Sequence, residues 1–164
     1  MKTILSIITI CIAFNFSCFS HQHVKNELLI LQEAERLPQE GILQQASDGF
    51  VYLKVSDDYV YKLFPLLEEK GFNIPNSFNR DSPIRAHISV MYKDDGERLS
   101  PITQLGETFS FSPIHVVEVR NGSKEYIIIE VHAPALDILR SSYGLPPKIM
   151  HHEFHITIAE KHVH

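Results

Sequence analysis

Two short stretches carry the residue types best suited to chemistry. Ala86-His87-Ile88-Ser89-Val90 and Phe154-His155-Ile156-Thr157-Ile158 each read apolar, His, apolar, hydroxyl, apolar. Imidazole titrates near pH 6.5, so one of two such rings can be neutral and the other charged near neutrality. The neutral ring takes a proton from an attacking oxygen, and the charged ring gives one to a leaving oxygen. The hydroxyls of Ser89 and Thr157 can donate hydrogen bonds to non-bridging oxygens of a phosphate held between them. Such a set cleaves a phosphodiester without a metal. A single His-x-Ser is ordinarily the polar face of a strand. The second copy, in the same apolar frame, makes the pattern a candidate site.

The elements that must position these residues follow from the same alternation. A period of two marks a half-buried β-strand. Ala86, Ile88 and Val90 then face a core, as do Phe154, Ile156 and Ile158. Each His shares the other face with its hydroxyl, ~6.6–6.8 Å along the strand, so both reach one bound group. In the first unit, 50–55 alternates, with Val51, Leu53 and Val55 on one side and Phe50, Tyr52 and Lys54 on the other. Ser56-Asp57-Asp58 offers a cap, and 59–70 reads as an amphipathic helix kinked at Pro65 and stopped by Gly71. A loop over 73–83 leads into the His strand, 84–92. The second unit repeats that order. It has a strand over 126–131, then a helix over 133–143 with Leu136 and Ile138 or Leu139 inward, stopped at Gly144. A Pro146-Pro147 loop and a His strand over 152–159 follow.

Between the units, Asp94-Asp95-Gly96 reads as a turn and 97–106 as irregular or a short helix. The stretch 109–120 reads as extended, and Asn121-Gly122 as a two-residue hairpin turn. Strand, helix, loop and His strand thus occur twice. This predicts an internal duplication, an α+β fold of two pseudo-symmetric βαβ lobes (49–96 and 107–162) with His87 and His155 facing each other across a cleft.

The start of the chain stands apart from this 49–164 domain. Met1-Lys2, an apolar run over 3–16 and the small residues Ser17, Cys18 and Ser20 precede the polar His21-Gln22-His23. Residues 1–20 read as a secretory signal peptide cleaved after Ser20, which makes the protein secreted or periplasmic. The apolar run falls short of the ~20 residues that a membrane span needs. Acylation at Cys18 is the alternative, which Asn15-Phe16-Ser17 fit poorly. Both cysteines, Cys11 and Cys18, lie in this leader, so the mature chain has no disulfide, thiol nucleophile or thiolate metal site. Residues 21–48 read as an N-terminal helical segment, with Val24, Leu28, Leu31 and Ala34 at helical spacing across 24–45 and breaks at Pro38 and Gly41.

Charge narrows the partners. The chain has 15 Lys+Arg and 20 Asp+Glu. Loss of Lys2 leaves 14 against 20, a balance of −6 with His neutral. Polyanion binding needs clustered cations, so a long nucleic acid is not an expected partner, whereas a small phosphorylated ligand fits.

The two H-x-[S/T]-hydrophobic motifs, His87-Ile88-Ser89-Val90 and His155-Ile156-Thr157-Ile158, resemble those of the 2H phosphoesterase superfamily. The resemblance covers roughly 49–161. The stretch from Tyr143-Gly144-Leu145 to Phe154-His155-Ile156-Thr157 is similar to a branch associated with RNA repair. The resemblance implies antiparallel sheets flanking the cleft, a monomer and no cofactor or metal. It implies hydrolysis of a 2′,3′-cyclic phosphate, or of a related small nucleotide or RNA-end phosphodiester. His87 and His155 would be the acid/base pair, and Ser89 and Thr157 the phosphate clamps. Tyr52 and Lys54, on the strand expected beside His87, are further candidate substrate contacts, as are Tyr143 and Lys148 before the second motif. All four could equally be surface residues.

Three other readings compete. His151, His152, Glu153 and His155 cluster like a zinc site, yet Phe154, Ile156 and Ile158 alternate as a strand and no H-E-x-x-H is present. His21, His23, His162 and His164 read as solvated chain ends. The same four motif residues could hold a nucleotide without turning it over, as a binding module. A structural or adhesion role predicts no cleft between the His strands. Asn121-Gly122-Ser123 is also a glycosylation sequon if the host is eukaryotic.

Overall fold

Among the described residues, eight strands hydrogen-bond, all antiparallel, in a single sheet of order β1-β6-β7-β8-β4-β3-β2-β5. The computed structural model describes residues 22–78 and 84–163. The strands are β1 (Gln22–His23), β2 (Glu40–Gln45), β3 (Val51–Lys54), β4 (His87–Met91), β5 (Thr108–Ser110), β6 (Ser112–Asn121), β7 (Lys124–His132) and β8 (Phe154–His162). Among the described residues, four α-helices accompany them: α1 (Glu27–Ala34), α2 (Asp58–Tyr61), α3 (Lys93–Arg98) and α4 (Pro134–Ser142). The expected α+β fold is what the chain adopts. The sheet falls into two four-stranded halves that meet at the two His strands, where Ile88 of β4 lies opposite Ile156 of β8.

The doubling is visible in this order. From the central β4–β8 pair outward, β3 mirrors β7 and β2 mirrors β6. In each unit the helical connection returns the chain antiparallel beside its own first strand, β3 against β4 and β7 against β8. The halves draw strands from outside their unit: β2 and β5 extend the first, and β1 extends the second.

One buried cluster underlies the sheet. Ile88, Val90, Ile156 and Ile158 are fully buried, together with Leu53, Val51, Ile129 and Val131. Ile30 and Ala34 of α1, Tyr59 and Val60 of α2, and Leu136 and Leu139 of α4 join it. Full burial of such side chains contributes ~1.5–3 kcal/mol each. Ile138, offered as an alternative inward residue of α4, is exposed, and Arg140 is buried instead. Its Nε donates to Pro146 O (2.8 Å) and its Nη1 to Val90 O, tying α4 and the loop after it to β4. α4 ends as expected at Gly144, whose φ of 73° allows Gly144 N to reach Ser141 O and Leu145 N to reach Arg140 O. That pair of bonds is a Schellman motif.

Four sequence expectations are corrected. The helix read over 24–45 is only α1; Glu40–Gln45 is the strand β2. Its buried Gly41 and Leu43 alternate with exposed neighbours. A Cβ on Gly41 would stand 2.6 Å from Lys54 O, so this glycine permits close pairing with β3. The helix read over 59–70 shrinks to α2 and a 3-10 turn at Phe64–Leu66, because Pro65 has no amide hydrogen to continue α2. Asp94-Asp95-Gly96 is inside α3, not a turn. Gly96 is buried there against Gly49, whose carbonyl a Cβ would approach to 2.0 Å. The β6–β7 hairpin is real, but Asn121 pairs with Lys124, so its two turn residues are Gly122-Ser123, one position later than read. His23 and His162 belong to β1 and β8, His162 exposed as expected, whereas His21 and His164 lie outside the described residues. The stretch read as a leader, 1–20, and part of the 73–83 loop lie outside the described residues.

Candidate active site

The register of the central pair assembles the two motifs. Ile88 and Ile156 are directly opposed and both point into the core. The residues flanking them therefore share the other face of the sheet. His87 then stands across from Thr157 and Ser89 across from His155, with the two histidines on a diagonal. Opposed Cβ atoms on an antiparallel pair lie ~4.5–5.5 Å apart, and diagonal neighbours ~7–8 Å. The imidazoles are near enough for the charge of one to bear on the other.

Each ring is oriented in the same way. His87 Nδ1 lies 2.6 Å from Arg85 O, and His155 Nδ1 lies 3.4 Å from Glu153 O. A carbonyl oxygen only accepts, so the proton is on Nδ1 and the other nitrogen, Nε2, is left for the cleft. Both partners are two residues upstream of their histidine, a local device repeated in each unit. Desolvation lowers the pKa of His87; the Arg85 carbonyl opposes this and Lys54 adds to it. Desolvation also lowers that of His155, opposed by the Glu153 carbonyl and by Glu130, with His87 and His152 adding to the fall. Neither Ser89 nor Thr157 spends its hydroxyl on a side-chain hydrogen bond among the described residues.

A cavity of about 420 Å³ opens on this face. Ser89, His155 and Thr157 line it, and it runs on past Ile128 and Glu130 to Tyr92, Tyr126, Arg120 and Met150. His87 stands outside that lining. Its ring is edge-on to the stacked rings of Phe50 and Tyr52, at centroid distances of 5.7 and 5.9 Å. The cleft between the His strands, which a purely structural role would lack, is thus present and lopsided.

The other sequence candidates separate into two groups. Tyr52 packs on His87, and its hydroxyl donates to Gln44 Oε1 at 2.9 Å. Lys54 pairs with His87 in the β3–β4 register, and its ammonium is bound by Asp57. Tyr143 is outside the cavity lining; its hydroxyl accepts from Thr103 N at 2.9 Å and lies 2.8 Å from Gln104 Oε1, pinning a neighbouring loop. Lys148 bridges Glu153 (2.7 Å) and Asp137 (3.2 Å) beside the Phe154 ring, bracing the entry to β8. Of the zinc-like cluster, His151 sits with Met150 in a tight turn of positive φ while His155 is on the strand. Among the described residues, no three His, Cys, Asp or Glu are grouped so as to hold a metal ion.

Glu130, Arg120, Tyr126 and Met150 went unremarked in the sequence, and Phe50 was placed on the Tyr52 face without a role. Phe50 and Glu130 alternate into this face with Tyr52 and Ile128, a signal that strand periodicity contains once the facing strand is known. Arg120 and Met150 carry no such signal; hairpin and turn geometry bring them in.

No curated protein and no solved structure matches the chain. A family model, the Swiss Army Knife 2H phosphoesterase domain, matches residues 51–164, which include both His motifs and both halves of the central pair. Such domains act on phosphodiester bonds. With that match over most of its length, and two His strands joined face to face, the chain belongs to the 2H phosphoesterases.

Proposed function

We propose that this protein is a metal-independent phosphodiesterase that hydrolyses a 2′,3′-cyclic phosphate, or a related small nucleotide or RNA-end phosphodiester. The observation that carries the reading is Ile88 opposite Ile156 with both side chains in the core, so that the two histidines and two hydroxyls flanking them share the other face. One histidine removes a proton from water through Nε2 while the other protonates the departing ribose oxygen. Ser89 and Thr157 donate to the non-bridging oxygens and hold charge as it develops there. A cavity of about 420 Å³ with two tyrosines in its lining suits one nucleotide. The acidic balance fits a small substrate rather than a long polyanion. The apolar start of the chain supports action outside the cytoplasm, as a secreted or periplasmic protein.

The test is turnover of 2′,3′-cyclic nucleotides by the purified protein with a chelator present. Hydrolysis that survives chelation and falls ~10²-fold or more in His87→Ala and in His155→Ala is expected. Binding without turnover in the unaltered protein would make it a nucleotide-binding module. Turnover abolished by chelation would replace the two-histidine chemistry with a metal's.

A further inference from the structure

The two histidines have equivalent places in the doubled fold but opposite neighbours. Directly across from His87, on β3, is Lys54. Directly across from His155, on β7, is Glu130. β3 and β7 are equivalent strands about the central pair, so one structural position holds a cation in the first half and an anion in the second. We infer that this reversal divides the labour, Glu130 holding His155 as the general acid and Lys54 leaving His87 neutral as the general base. This rests on the proposed hydrolysis and adds to it the roles that two near-identical motifs leave undecided.

Two imidazoles on a diagonal interact, so the first proton taken up by the pair is shared unequally according to their surroundings. His155 faces Glu130 from β7 and His87 from β4; His152 adds a further imidazole from its own loop, and the Glu153 carboxylate is occupied by Lys148. His87 faces Lys54 from β3 and His155 from β8. Asp57 shares Lys54, and Arg85 turns its guanidinium to the Tyr61 hydroxyl at 3.0 Å. Lys54 nonetheless acts against charge on His87, and Glu130 acts for charge on His155. The carbonyl contacts of the two Nδ1–H groups persist in both charge states. They fix the tautomer more than they choose the protonated ring.

The cavity supports the same assignment by a separate route. The space is on the His155 side, with His87 outside its lining against Phe50 and Tyr52. The bulky part of the substrate is the nucleoside that carries the departing oxygen, whereas the nucleophile is a water. The nucleoside fits beside His155, and the water beside His87. In the step, a water proton passes to His87 Nε2 as the water oxygen bonds to phosphorus. The bond from phosphorus to the ribose oxygen breaks, and that oxygen takes the proton from His155 Nε2. A phosphomonoester results, with His87 charged and His155 neutral until solvent exchange resets them.

A substrate with a leaving group that needs no proton separates the roles. With 2′,3′-cyclic nucleotide, His87→Ala and His155→Ala should each lose ~10²-fold or more. With a p-nitrophenyl phosphodiester of the same nucleoside, His155→Ala should recover to within about tenfold of the unaltered protein, and His87→Ala should not. Recovery in His87→Ala instead, or an equal loss in both, overturns the assignment. An unaltered protein that hydrolyses neither compound would sink the phosphodiesterase reading itself, which is a different result. Glu130→Gln and Lys54→Gln probe the neighbours through the pH profile of kcat/KM. Glu130→Gln should move the alkaline limb to lower pH, and Lys54→Gln the acid limb to higher pH, so that each narrows the bell. Unmoved limbs, or a widened bell, would remove these two residues from the account.

Discussion

At the scale of the residue, the site consists of two rings whose charged form burial disfavours and two alcohols that stay available. Desolvation is the largest influence on both His87 and His155, and it lowers both. A base and an acid that both titrate below the ordinary imidazole value of about 6.5 confine activity to the acid side of that value. The kcat/KM of the free enzyme should therefore peak below pH 6.5, and a peak above pH 7.5 would contradict the burial argument. Ser89→Ala and Thr157→Ala each remove one donor from the developing charge. Each should lower kcat by about 10²-fold while circular dichroism stays unchanged. A loss under threefold in both would take the hydroxyls out of the chemistry. The residue types were legible in the sequence because each motif is complete within five residues. Glu130 was not, since its meaning depends on the strand that lies beside it.

At the scale of the element, position comes from a few contacts that sequence patterns describe poorly. Arg140, a charged residue within α4, is buried and holds the Val90 and Pro146 carbonyls. Arg140→Met would leave two carbonyls without their donor, at a cost of ~1–3 kcal/mol or more, read as a lower denaturation midpoint. Two glycines contrast usefully. Gly144 has φ of 73° and nothing within 4 Å of an added Cβ, so Gly144→Ala should cost only the backbone penalty of ~1–2 kcal/mol. Gly96→Ala drives a methyl into Gly49 O and should cost clearly more, although Gly96 is helical and without positive φ. Equal midpoints for the two variants would show that α3 moves off β3 without penalty. The short helix α2 illustrates a competing rule: the apolar periodicity over 59–70 is real, but Pro65 cannot supply the amide that a longer helix needs.

At the scale of the whole molecule, burying two imidazoles couples stability to pH. The unfolded chain protonates its histidines near pH 6.5, while the folded pair resists until lower pH. Between those values the unfolded state binds more protons, so stability rises with pH there. The contribution is fully present above about pH 6.5 and declines as the pH drops towards the folded values. Denaturant midpoints at pH 7.5 and 5.5 should therefore differ more for the unaltered protein than for a His87→Gln, His155→Gln double variant. Equal differences would mean that the rings are not buried in solution. The same doubling that provides two rings also joins the two halves of the sheet at their His strands. β4 and β8 are central rather than edge strands, so the face that carries the two histidines is held from both sides.

Local pattern alone determined the pair of His strands, the side each histidine takes, the duplicated order of elements and the β6–β7 hairpin. Alternation, turn residues and motif composition are properties of neighbours in the chain, and neighbours suffice to reveal them. Whether the two motifs meet is a question of register between strands 68 residues apart in sequence, Ile88 and Ile156. Only the tertiary structure decided that. It also decided which residues are set across from each histidine and on which side the cavity opens, because cross-strand pairing is a long-range choice made by the packing of the core.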